Sequence, residues 1–264
     1  MGSLKGLSLR NKILIYCDYG CSDITNLHKE LERCFQDKGI KISEVDASGI
    51  IKENALNEEV LAFFMPGGAS TPYRQKLKEY GNDKIAEYVK NGGVYFGICA
   101  GAYYACDKIN FEMDVPELRL ERTGMNLINA AAVGTLYKEL GIAPYSPDTS
   151  SAAVVDIRCE DDGAVCAAYY HGGPYFDISE DKECEVLGTY ENVKNHPPAI
   201  IAKKYGKGMV LASGVHLEDS GERLGAAIHK LKKDRDNALA IAEQLKKREI
   251  SRQILFNKMM NRIR

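Results

Sequence analysis

The segment Gly92–Ala102, Gly-Gly-Val-Tyr-Phe-Gly-Ile-Cys-Ala-Gly-Ala, most constrains the fold of this chain. A short apolar run, Val94 to Ile98, leads straight into Cys99-Ala100-Gly101 with no loop between. This is the form of a nucleophile elbow, a sharp strand-to-helix turn with cysteine in the nucleophile position. The backbone is strained at such a turn, and Gly97 and Gly101 leave room for its close approach. The motif predicts an α/β fold with Cys99 at the carboxyl edge of a parallel sheet. A helix N-terminus behind it favours the thiolate, the reactive form.

The surrounding pattern agrees. Lys12–Cys17, Ile40–Val45 and Val60–Met65 read as short buried strands. Helices are predicted from about Ile24 to Lys38, capped by Ser22 or Asp23, and from about Arg74 to Asn91, interrupted near Gly81. This alternation implies a mostly parallel sheet covered by helices, whose carboxyl edge forms ligand sites. Val154–Arg158 with Ala164–Tyr170, and Ile200–Lys204 with Met209–Ser213, read as hairpins that add an antiparallel extension. From Glu222 the chain turns helical and basic. Its length of 264 residues suits one large domain.

The net charge of −2 offers no electrostatic case for nucleic acid or an anionic membrane. No apolar run is long enough to span a bilayer, and residues 1–9 lack the core of a secretory signal. The expected location is the cytoplasm. The eight cysteines form no paired CxxC motif, so neither a zinc site nor any other metal or cofactor is expected. An Asp-Gly turn at Asp162-Gly163 would set Cys159 opposite Cys166, as two thiols in a reducing cytosol.

A nucleophile needs a base, and the base an orienting group. The last strand of the second hairpin runs into Gly214-Val215-His216-Leu217-Glu218-Asp219. His216 is the candidate base and Glu218 its carboxylate, the logic of a triad. His171 ranks below it. Pro66-Gly67-Gly68 follows an adjacent strand, and the N–H groups of Gly67, Gly68 and Ala100 are candidates for an oxyanion hole. Tyr73, Tyr103, Tyr104, His171, Gly172 and Gly173 are candidate substrate-binding residues. Asp18 and Cys21 follow the first strand and approach the same edge. Arg119 and Arg122 are weighed as carboxylate-binding residues against a solvated face. The tail carries Lys232, Lys233, Arg235, Lys246, Lys247, Arg248, Arg252, Lys258, Arg262 and Arg264, with Ile241, Leu245, Ile250, Ile254, Leu255 and Met259 at near-helical spacing. It reads as helices packed on the domain with basic outer faces, or as a surface for a protein partner.

On these motifs the chain resembles the class I glutamine amidotransferase-like superfamily, and within it the N-terminal domain of biotin–protein ligases. The matching residues are Met65–Ala69 with Pro72-Tyr73, Asn91–Tyr104, Tyr170–Phe176, and Gly206–Gly208 leading to Gly214–Glu218. The resemblance implies a flavodoxin-like three-layer α/β/α sandwich and a Cys99–His216–Glu218 triad. It divides the chain into a tail (1–11), an amidotransferase-like domain (12–230) and a helical extension (231–264). Tyr103 stands where many glutaminases carry a substrate-holding glutamine. No Gly-Arg-Gly-Arg loop is present, so biotin ligation itself is not expected. The reading is hydrolysis or transfer of a small-molecule or peptide-like amide through a thioester. The alternatives are a non-catalytic binding or regulatory module, and a redox sensor pairing Cys99 with Cys106 or Cys21.

Overall fold

Residues 10–230 and 234–263 are described by the computed structural model. Most of the expected tail, and Lys232, Lys233 and Arg264, lie outside them. The elements run β1 (Lys12–Tyr16), α1 (Thr25–Phe35), β2 (Lys41–Val45), α2 (Ala47–Lys52), β3 (Val60–Met65), α3 (Ser70–Lys90), β4 (Val94–Ile98), α4 (Ala100–Ala105), β5 (Cys106–Phe111), β6 (Leu120–Thr123) and β7 (Ile128–Gly134). There follow α5 (Tyr137–Leu140), β8 (Ala152–Cys159), β9 (Val165–His171), β10 (Tyr175–Asp177), β11 (Glu185–Tyr190), β12 (Pro198–Tyr205), β13 (Gly208–Ser213), α6 (Gly221–Ala227), α7 (Arg235–Lys247) and α8 (Glu249–Asn261).

Alternation along the strands sets the layers. Ile13, Ile15, Phe64 and Phe96 face Leu27, Leu31 and Phe35 of α1 and Leu255, Phe256, Met259 and Met260 of α8. Their neighbours Leu14, Tyr16, Phe63, Met65 and Tyr95 face α2, α3 and α4 on the other side. A strand with apolar residues on both faces is stable only between two covering layers. The main sheet has nine strands in the order β2-β1-β3-β4-β13-β12-β11-β8-β9. Its first five strands are parallel, and β12, β11, β8 and β9 continue it antiparallel. This is the expected three-layer α/β/α architecture with its antiparallel extension. No helix among the described residues is long and apolar enough to cross a membrane.

Several expectations are corrected. A second sheet, β10-β7-β5-β6, is built from segments not read as strands. Arg122 lies on its edge strand β6, where burial alternates residue by residue. The break in α3 falls at Lys78 (φ 54°, ψ −169°), and the helix runs on through Gly81. In the β8–β9 hairpin Cys166 pairs with Ile157, while the Cys159 N–H donates to the Ala164 carbonyl at 2.8 Å. Asp161 and Asp162 pair with Lys258 of α8, and Cys159 and Cys166, though out of register, still meet through a hydrogen bond between their thiols. In the C-terminal helices Ile241, Leu245, Leu255 and Met259 are buried as the spacing implies, but Ile250 and Ile254 are exposed. Arg252, expected on a basic outer face, is fully buried.

Candidate active site

β4 ends in the elbow. Cys99 takes φ 49° and ψ −105°, and α4 begins at Ala100. A non-glycine residue at positive φ is held there only by its surroundings. The Cys99 N–H donates to the Ser213 carbonyl at 2.9 Å, and the Tyr103 N–H to the Cys99 carbonyl at 2.9 Å. A Cβ on Gly97 would stand 2.5 Å from the Gly101 carbonyl oxygen, and one on Gly101 would overlap the Met65 carbonyl. Both glycines are therefore sterically required.

β13 lies beside β4, so the chain leaving Ser213 passes the elbow. The Ser213 hydroxyl donates to the Val215 carbonyl at 2.7 Å, and the His216 N–H donates to the Tyr169 carbonyl at 2.8 Å. The imidazole lies between the Tyr169 ring, 5.8 Å away, and the backbone of Gly67. Its Nδ1–H donates to Glu218 Oε1 at 2.8 Å. Burial opposes the charged imidazolium. The Glu218 carboxylate and a hydrogen bond with the Cys99 sulfur outweigh it and hold His216 well above its usual pKa. Asp219 Oδ2 lies 3.8 Å from the same Nδ1, and Asn26 donates to its other oxygen. Burial, then the Glu218 charge, raise the Asp219 carboxyl to about 6.

Gly68 and Ala100 line a cavity of about 150 Å³ with Cys99. Among the described residues their N–H groups make no backbone hydrogen bond. Gly67 has a different setting. Its carbonyl accepts from Ser22 N–H and from the Tyr73 hydroxyl at 2.7 Å, and its Cα faces the His216 ring. Tyr73 is thus a buried brace for the Pro66–Gly68 turn.

Tyr103 lines the cavity, with its hydroxyl donating to the Gly172 carbonyl at 3.3 Å. Gly172 also lines it, and Gly173 is packed against Gly214. Tyr104 is not brought to this cavity. Its hydroxyl donates to Asn82 Oδ1 at 2.7 Å, in a separate cavity beside α3. His171 is near Cys99 through its carbonyl, 3.5 Å from Sγ, but its Nε2 points to the Ser146 carbonyl at 2.8 Å. Burial holds this ring below its usual pKa.

Sequence reasoning missed much of the wall, which Ile109, Phe111, Leu120 and Tyr145 supply. These residues come from the second sheet and the loop after α5, and no local motif marks them. Arg252 was also missed as a support. Its guanidinium donates to the Leu217 carbonyl, between the two polar triad candidates, and pairs with Glu30 at 3.1 Å and with Glu249. Among the described residues two clusters bring metal-ligand atoms together, Cys159-Asp161-Asp162 and His216-Glu218-Asp219. In the first the carboxylates hold the Lys258 ammonium, and in the second the ligand atoms hold the imidazole. All eight cysteines are thiols. The Cys21 and Cys106 thiols donate to the Tyr16 and Ala102 carbonyls.

The layers define a class of fold, the one that a solved glutamine amidotransferase also has. A glutamine amidotransferase from Thermotoga maritima superposes with a TM-score of 0.57 at 18% identity, over 96% of this chain and 98% of its own. Residues 11–264 match the family described as "Biotin-protein ligase, N terminal", and the chain belongs to that family. An uncharacterized protein of Chlamydia muridarum is 31% identical over 214 residues, 78% of this chain and 80% of its own length. A biotin–protein ligase of Schizosaccharomyces pombe is 29% identical over 182 residues, 67% of this chain but 28% of that protein.

Proposed function

We propose that this protein hydrolyses or transfers an amide through a Cys99 thioester, with His216 as base and Glu218 as its orienting carboxylate. The observation that carries the reading is the His216–Glu218 bond of 2.8 Å beside a cysteine at an elbow. The Cys99 proton rests on His216 as the imidazolium, and the thiolate attacks the amide carbonyl as the S–C bond forms and the carbonyl π pair moves to oxygen. The N–H groups of Gly68 and Ala100 receive the charge that develops on the oxygen. As the C–N bond breaks, the imidazolium gives its proton to the leaving amine. Water then attacks the thioester, His216 takes its proton, and the carboxylate product leaves with the thiol restored. Aromatic residues around Cys99 and the placement of Tyr103 suit an acyl portion other than a glutamine side chain.

The test is alkylation of Cys99 by iodoacetamide at pH 6.5, followed peptide by peptide. Cys99 reacts fastest of the eight cysteines, and His216→Ala slows it at least about tenfold. A Cys99 no faster than the others, or indifferent to His216, sinks the reading. The second reading, a binding module that accompanies a larger enzyme, is supported by the match to part of a biotin–protein ligase. It predicts that Cys99→Ala retains function.

A further inference from the structure

A second cavity, of about 530 Å³, lies beside the first. Arg74, Lys78, Asn82, Tyr104, Thr123 and Gly124 line it, and Glu79 is the carboxylate on its wall. Ser70 and Thr71 of α3 line the Cys99 cavity, and Arg74 and Lys78 line this one. Arg74 lies one helical turn beyond Ser70 on the same face of α3, so the second cavity begins about 5 Å beyond the first, and Lys78 stands at the break in the helix. β6 runs the same course on the opposite wall, with Leu120 at the first cavity and Thr123 at the second.

Arg122 lines neither cavity, but its guanidinium lies against Ser70 and Thr71 and close enough to Arg74 for the two charges to repel. Its Nη1 donates to Thr71 Oγ1 at 2.9 Å and its Nη2 to Ser70 Oγ at 2.6 Å. Both acceptors are neutral, and Nε is buried without a partner among the described residues. Burial, then the Arg74 charge, lower its pKa. Among the described residues neither Arg74, Lys78 nor Arg122 has an ion-pair partner. Like charges brought together without a counter-ion are costly, and a multiply charged oxyanion relieves that cost. Two cations on the wall with one carboxylate, and a third charge beside Arg74, favour a dianion over a single carboxylate.

We propose that this cavity binds a phosphoryl group of the molecule whose amide is presented to Cys99, with Arg74 and Lys78 as ligands on its wall and Arg122 as the supporting charge beside Arg74. The substrate class is then a phosphorylated amide with an apolar segment between its two polar ends. The link to the amide rests on the hydrolase reading above, whereas the phosphate affinity of the cavity does not.

Isothermal titration of the full chain with inorganic phosphate, and separately with acetate, tests the site at fixed ionic strength. Saturable phosphate binding is expected, weakened at least about tenfold in Arg74→Gln and in Arg122→Gln. Arg74 is exposed, so its variant guards against loss of binding through misfolding. Cys99→Ala binds phosphate like the wild type. Absent saturation, indifference to both substitutions, or equal binding of acetate overturns the proposal. Phosphate binding with an inert Cys99 keeps the site and removes the hydrolase; a reactive Cys99 without phosphate binding does the reverse.

Discussion

Gly67→Ala is the sharpest perturbation of the triad, because it touches His216 without removing any proposed reacting group. The added Cβ would stand 2.7 Å from His216 Cε1 and 3.5 Å from Nε2. An unstrained contact between carbon atoms is about 3.5–4.0 Å, so the ring must retreat by about 1 Å. It is not free to do so. Nδ1 is held by Glu218, the backbone N–H by Tyr169, and the ring packs 5.8 Å from the Tyr169 ring. A misplacement of about 1 Å costs on the order of a hundredfold where geometry governs a proton transfer. The accompanying overpacking costs about 1–3 kcal/mol, which leaves a protein of this size folded. The assay is the second-order rate of Cys99 alkylation by iodoacetamide at pH 7, with a thermal melt on the same samples. The rate falls ten- to a hundredfold, while Gly225→Ala, whose nearest neighbour lies 3.4 Å away, reacts as the wild type does. A folded Gly67→Ala protein that alkylates at the wild-type rate would show that the imidazole position does not govern the thiol.

Two further substitutions probe the supports. Asp219 is raised to about 6 from an ordinary carboxylate value near 3.9, so the native state holds its proton more tightly than the unfolded state does. Ionising it therefore costs stability that grows as pH rises from about 4 to 6 and is fully present above 6. Asp219→Asn removes that cost. Urea unfolding should show a gain of up to about 3 kcal/mol at pH 8 and little at pH 4, and an equal gain at both would contradict the assignment. Arg252→Met removes the buried guanidinium from Glu30 and Glu249, but Glu30 keeps Arg33 at 2.9 Å and Arg223 at 3.6 Å, so the cost in urea unfolding is about 1–3 kcal/mol. It also frees the Leu217 carbonyl, so Cys99 alkylation slows with the loss of stability; an unchanged rate would separate α8 from the site.

The parts of this molecule legible in the sequence are those whose physical cause is local. The elbow is written in consecutive residues because Gly97 and Gly101 answer to contacts with their own strand and helix and with β3 next to them. His216 and Glu218 could be paired because a two-residue step after a strand end lets a carboxylate reach back to a ring nitrogen. The cavity wall could not be read this way. Phe111 and Tyr145 meet edge to face at 5.4 Å, yet they are separated by two strands and a helix, and neither position carries a turn or cap signal. β6 failed for a related reason. Its alternation of half-buried Leu120 and Arg122 with exposed Glu121 and Thr123 is that of an edge strand, but four residues are too few to distinguish it from a solvated loop. Arg252 is the strongest case. In the periodic pattern it is one more cation on a basic helix, and its burial depends on Glu30, 222 residues away on α1. Such a charge can enter a core only when a distant element brings its partner, so helical periodicity reports which face is apolar but not which cation will cross to it. That crossing ties α8 to the strand end carrying His216 and Glu218, which makes the last helix a support of the site as well as a cover for the sheet.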